Sequence, residues 1–203
     1  MQTEKRIINR LTLFSAGYVS LFVLSPVLSN RIVDLFGFKV IVGSIAVTFA
    51  YGILDVINNG WGKDAARQVI VASVFVRMFI IGFVLLTFLL PTSSEEMGYR
   101  KIMGLSFRIY AAGEIGTFVS QYFIDVPIFH RLKECGGAFW IRYNLSTILS
   151  QGVSIFLMVG IAFVGTDKPV VQIMFGQFVF RMFTAIILTP VFSLMARSVV
   201  WRN

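Results

Sequence analysis

Six apolar runs of about twenty residues, separated by short polar breaks, constrain this chain more than any other feature. They cover 11–29, 38–57, 68–90, 106–126, 141–164 and 170–194, and each is long enough to cross roughly 30 Å of hydrocarbon as a helix. The breaks, NRIVDLFG, NNGWGKDAAR, PTSSEEMGYRK, HRLKECGGAFW and GTDKP, carry the Gly, Pro, Asn and charge that end helices. None is long enough for a soluble domain. The expectation is therefore an all-α integral membrane protein, a single transmembrane domain over 1–203 built as a bundle of six helices. Composition agrees: 57% of the 203 residues are hydrophobic and 14% charged, outside the range of soluble domains.

Charge then orients the bundle. The net charge of +8 suggests nucleic acid at first sight, but the basic residues sit at the ends of the apolar runs and form no basic face. With the N-terminus inside, Lys5, Arg6, Arg10, Lys63, Arg67, Arg131, Lys133, Arg142, Arg197 and Arg202 are cytoplasmic. Arg31, Lys39, Arg100, Lys101, Arg108 and Lys168 are outside, and Arg77 and Arg181 lie within spans. The excess on the first side places both termini in the cytoplasm. MQTEKRIINR resembles a signal n-region, yet no small-residue cleavage pattern follows, so an uncleaved first span is expected.

Several chemistries are disfavoured. A single cysteine, Cys135, rules out an intrachain disulfide and a Cys-based metal site. With one His and no His-Glu-x-x-His or Gly-x-Ser-x-Gly pattern, no nucleophile with its base is assembled, so the chain is read as no enzyme, with no cofactor or metal.

The spans carry more polarity than packing requires. In the fourth, Glu114, Gln121 and Asp125 fall on one helical face. A carboxylate at membrane depth costs about 2.5–3.5 kcal/mol on insertion scales, so such groups face a bundle interior, a cavity or a partner. Asp125 also stands near the expected C-terminus of that helix, where the macrodipole disfavours negative charge. Asn144, Thr147, Gln151 and Ser154 make a stripe in the fifth span, and Gln177, Arg181 and Thr184 one in the sixth. Ser73 and Arg77 lie in the third, and Asp55 ends the second. Two readings stand side by side. Hydroxyls and amides also glue membrane helices together, and Arg77 or Arg181 can simply neutralise Glu114 or Asp125 in a buried pair.

Four ordered segments, DVINNGWGKDAAR (55–67), RIYAAGEIGTFVSQYFIDVPIFHRLK (108–133), RYNLSTILSQGVSIFLMVGIAFVG (142–165) and GQFVFRMFTAIILTP (176–190), resemble the YhhQ-type queuosine-precursor transporters, the vitamin-uptake-like family. The resemblance implies a six-helix, multi-pass protein of the bacterial inner membrane. It would import 7-cyano-7-deazaguanine or 7-aminomethyl-7-deazaguanine for tRNA modification, without touching nucleic acid itself. By position it implies roles for Asp55, Gly62, Arg108, Gln121, Asp125, Asn144, Ser146, Thr147, Gln151, Gln177, Arg181 and Pro190. Arg181 stands where many members have Lys, Asn59 where many have Glu, and Ser154 where the fifth span usually has Asp. Glu114 is an acid outside the family pattern.

A 7-deazaguanine presents a flat ring, a carbonyl, and an adjacent N–H and amine. A carboxylate accepts from that donor pair in a fork while an amide or guanidinium donates to the carbonyl. Asp125 or Glu114 would supply the fork and Gln121, Asn144, Gln151 or Gln177 the remainder. Phe118, Tyr122, Phe180 and Phe183 are the aromatics placed to stack, though packing explains each as well. The rival reading is a substrate-binding membrane subunit for another vitamin or nucleobase, energised by a separate module, since no Gly-x4-Gly-Lys-Ser/Thr loop exists in the chain. A homodimer is left open.

Overall fold

The computed structural model describes residues 2–29, 31–35, 37–87, 89–90 and 97–200, with side chains described for all of these except 2–7, 97–107, 110 and 200. Residues 91–96 of the expected break PTSSEEMGYRK, and Arg202, lie outside the described residues, while the rest of that break, 97–101, is already helical. The elements run α1 (Gln2–Ser29), β1 (Ile32–Leu35), β2 (Phe38–Ile41), α2 (Ser44–Thr87), α3 (Met97–Ser120), a π-helical turn (Gln121–Asp125), α4 (Val126–Glu134), α5 (Phe139–Phe163) and α6 (Val170–Val200). Among the described residues, four helices have the length and apolarity to cross a bilayer: α1 from Ile8, α2, α5 and α6 to Val199.

At 44 residues, α2 would be about 66 Å long if straight, twice a hydrocarbon core. It is broken at Gly62, whose φ of 87° and ψ of 174° lie in a region open in practice to glycine alone. The two arms fold back on each other, because Val47 on the first and Arg77 on the second line one small cavity. Tyr51 and Leu54 from the first arm and Ala66, Val69 and Ile70 from the second share an apolar cluster with Tyr18 and Phe22 of α1.

Two expectations are corrected. The second span was placed at 38–57, but residues 38–41 are a strand and the helix starts only at Ser44. Ile32 pairs with Ile41 and Leu35 with Phe38 around Gly37, whose φ is 83°. β-branched residues beside a glycine favour a hairpin over a helix, and pairing satisfies the backbone just as well. The hairpin rests on α6 at Gly176, where a Cβ would lie 2.6 Å from the Lys39 carbonyl oxygen. Secondly, the fourth helix does not end at 126. It passes through the π turn into α4, so Asp125 lies inside a continuous helical run, and the macrodipole argument fails there. Pro127 cannot donate to the carbonyl four residues back, and the wider turn just ahead of it accommodates this.

Lipid tails are as apolar as leucine, so close packing and polar contacts hold such a bundle together more than apolar burial does. Gly116 shows the closeness: a Cβ there would sit 2.8 Å from the Ser154 carbonyl oxygen, so α3 and α5 touch backbone to backbone. Large apolar side chains point outward instead, among them Phe75, Phe79, Phe156, Phe183 and Ile186.

Candidate functional site

The polar residues gather on the inner faces of α1, α2, α3, the π turn, α5 and α6. Arg77, on the second arm of α2, is 2% exposed, and its Nε lies 2.8 Å from Glu114 Oε1. Its guanidinium also lies 4.6 Å from the centroid of the Phe22 ring. Glu114 is thus held in a buried ion pair, as the packing reading allowed, with Oε2 left unpartnered. Beside this pair is a cavity of about 30 Å³ lined by Ser25, Thr117, Met158 and Arg181 as well. Arg181 donates from Nη1 to Gln151 Oε1 at 2.6 Å, which joins α5 to α6.

Next to this pair, the hydroxyl of Tyr18 donates to Gln121 Oε1. Tyr51 and Ser120 share a hydrogen bond of 2.6 Å. Ser44 donates to Gln177 Oε1. The amide oxygens of Gln121, Gln151 and Gln177 are thus taken, while their amide nitrogens have no protein partner.

Asp125 and Asp55 form the third part. Ser150 donates to Asp125 Oδ1 at 3.0 Å, and Oδ2 has no protein partner. Asp55 is wholly buried with both oxygens unpartnered. It interacts electrostatically with Asp125 and with Arg142, and the buried Tyr143 hydroxyl feels both acids. Asn58, one helical turn on, donates to the Val126 carbonyl oxygen at 3.1 Å and ties α2 to the start of α4. A buried polar atom without a partner is costly, so such atoms concentrated in one place mark somewhere water or a ligand is received.

Of the residues singled out in the sequence, Asp55, Glu114, Gln121, Asp125, Gln151, Gln177 and Arg181 are all buried in this interior, with Ser146, Thr147 and Ser154 beside them. Others stand apart. Arg108 is exposed and donates to the Val164 carbonyl oxygen at 2.8 Å, closing the end of α5. Asn144 pairs with Thr189 across α5 and α6, in a groove facing outward. Pro190 lies in that groove too. Phe118 and Tyr122 stack on each other at 5.3 Å, and Arg67 lies over the Tyr122 ring. Phe180 packs toward the hairpin, and Phe183 faces outward at 62% exposure. Asn59 is buried, with its carbonyl oxygen engaged by Lys133.

Sequence reasoning missed Tyr18, Tyr51, Ser44, Asn58 and Ser150. Tyr51 was findable, since it stands four residues before Asp55 on the same face. Tyr18 was not, because nothing local marks one tyrosine in an apolar helix as the partner of a distant amide.

The family model described as "Putative vitamin uptake transporter" matches residues 41–195. A curated protein of Bacillus subtilis (strain 168), described as "Probable queuosine precursor transporter", is 27% identical over 142 residues. That alignment takes in 66% of this chain and 61% of the relative, so the chain spans less than two thirds of its length. No solved structure matches the chain.

Proposed function

The chain belongs to the vitamin uptake transporter family, and we propose that it imports a 7-deazaguanine precursor of queuosine across the bacterial inner membrane. It is a multi-pass membrane transporter and no enzyme. Six crossings are our reading, with the two arms of α2 and the α3 run counted beside α1, α5 and α6. Both termini then face the cytoplasm, an orientation supported by the basic residues around Lys133, Arg142 and Arg197 at one end of the bundle.

The observation that carries the proposal is the set of unpartnered atoms. Asp55 Oδ1 and Oδ2 and Asp125 Oδ2 are acceptors, while Gln121 Nε2, Gln151 Nε2 and Arg181 Nε are donors, all buried. This is the complement of a 7-deazaguanine edge, with its paired donors and its carbonyl. Asp125 takes the donor pair, and Gln121 and Gln151 address the carbonyl side. Glu114, closed by Arg77, is a structural neutraliser.

Movement follows from volume. The cavity of about 30 Å³ beside the Arg77–Glu114 pair has room for roughly one water molecule, and Asp55, Gln121, Asp125 and Gln151 are each wholly buried outside it, so a two-ring base enters only after the helices part. Alternating access around a midplane site provides that opening. The test is rescue of queuosine in tRNA, read by boronate-gel shift, in cells lacking precursor synthesis and their own importer. Rescue at nanomolar 7-cyano-7-deazaguanine supports the proposal. With the protein present in the membrane, absence of rescue overturns it.

The family description names vitamins, which favours a second reading in which the chain binds another vitamin or nucleobase and works with a separate energising module. Uptake by the chain alone in liposomes excludes that module.

A further inference from the structure

Away from the buried acids, at the end of the bundle where α2 breaks and α4 gives way to α5, lies an open cleft of about 570 Å³. Lys133, Arg142 and Arg197 line it, and among the described residues no acid does. Lys133 Nζ is anchored 2.6 Å from the Asn59 carbonyl oxygen, which leaves two of its protons free to donate. Arg142 is 9% exposed and lies over the rings of Phe129 and Phe139 at 5.1 and 5.7 Å. Its Nε is buried without a protein partner. Burial first, and the nearby Arg142 second, pull the Lys133 ammonium below the ordinary lysine value. The first turn of α5 adds to this positive lining, because Ala138 provides no side-chain cap for its free N–H groups.

The cleft does not end there. Trp140, 58% exposed, lines it and also a second recess of about 480 Å³ between α5 and α6. That recess is walled by Ile148, Met182 and Ile186, two of which are exposed, so it opens toward the lipid. A basic chamber thus runs into an outward-facing apolar groove past a tryptophan, the residue type that favours the headgroup level of a bilayer.

We propose that cleft and groove together hold one anionic glycerophospholipid, its phosphate among Lys133, Arg142 and Arg197 and an acyl chain along α5 and α6. Charge and continuity select this occupant. Free phosphate would use the chamber and leave the groove unused. A zwitterionic lipid would bring a second cation into a chamber whose described lining holds no acid to meet it. Basic pockets between transmembrane helices hold acidic headgroups by the same physics.

The test uses the full chain in a neutral maltoside detergent, with retained lipid measured by native mass spectrometry and unfolding followed by melting temperature. Dioleoylphosphatidylglycerol is expected to be retained and to raise the melting temperature saturably. Dioleoylphosphatidylcholine and sn-glycerol 3-phosphate at equal concentration are expected to do neither. The paired substitutions Lys133→Gln and Arg197→Gln are expected to weaken phosphatidylglycerol retention at least tenfold, and Ile186→Gln in the groove to weaken it less. Equal retention of phosphatidylcholine overturns the proposal, as does a full shift from glycerol phosphate alone. Wild-type retention by the paired variant overturns it too. If that variant does not fold, the wild-type comparison among the three probes and the exposed Ile186→Gln variant still decide.

Discussion

Glu114 and Asp125 are carboxylates on one continuous helical run, both buried, yet their surroundings are opposite. Glu114 faces a guanidinium 2.8 Å away. Asp125 has the Ser150 hydroxyl at 3.0 Å, the Ser146 hydroxyl also acting on it, and an Oδ2 without a protein partner. Near it is a second acid, Asp55, whose oxygens take no hydrogen bond and which feels Arg142 only electrostatically. The first arrangement is closed in charge, neutralised within the protein, although Glu114 Oε2 takes no hydrogen bond. The second is incomplete, and a ligand with two adjacent donors would complete it. In a bundle where every buried charge is expensive, an acid already paired is neutralised within the protein, and one left open is the candidate to receive a ligand.

The largest test of this contrast is Arg77→Met, which leaves Glu114 charged and alone. Removing one partner of a buried pair costs about 3–5 kcal/mol, so unfolding in detergent is expected to shift strongly. Adding Glu114→Gln is expected to restore most of the loss. If Arg77→Met is nearly neutral, Glu114 is as open as Asp125 and the contrast collapses.

Asp125→Asn comes next and acts on uptake. It removes a charged acceptor worth about 1.5–3 kcal/mol, so uptake at subsaturating precursor is expected to fall ten- to hundredfold. The melting temperature should hardly move. Unchanged uptake removes Asp125 from the site.

Gly62→Ala sharpens the comparison from the backbone side, because Asp55 and Arg77 lie on opposite arms of the broken helix. A side chain at φ 87°, ψ 174° costs about 1–3 kcal/mol in strain, although nothing lies within 4 Å of the added Cβ. Stability is expected to drop by that amount, measured by chemical denaturation, and a neutral result would mean that the turn is not held as described. Smallest is Arg108→Gln, outside both acid clusters. With an exposed donor to the Val164 carbonyl oxygen as its only described contact, it is expected to change stability by under about 0.5 kcal/mol and uptake by less than twofold. A large uptake defect there would return Arg108 to the ligand path.

Much of the interior was legible because helix periodicity is local. Gln121 with Asp125, and Asn144, Thr147, Gln151 and Ser154, were put on shared faces by spacing, and all but Asn144 are buried. Asn144 turns outward because its partner Thr189 sits on the outer side of the α5–α6 seam. The hairpin at 32–41 was hidden, since a short apolar run reads alike as strand or helix end. The continuation through Pro127 was hidden too, because a proline followed by His130, Arg131 and Lys133 reads as a loop until the π turn is seen to absorb it.

Residence in the membrane, the helical class, the basic end of the bundle and the presence of costly polar groups all follow from the amino-acid order alone. They depend on composition and on spacings of a few residues, which water, lipid and helix geometry act on directly. Which acid is closed and which is open was decided only by the tertiary structure. Arg77 reaches Glu114 and Tyr18 reaches Gln121 because Gly62 turns α2 back and α1 packs against it. Such partners lie far apart along the chain, and only packing brings them within hydrogen-bond distance.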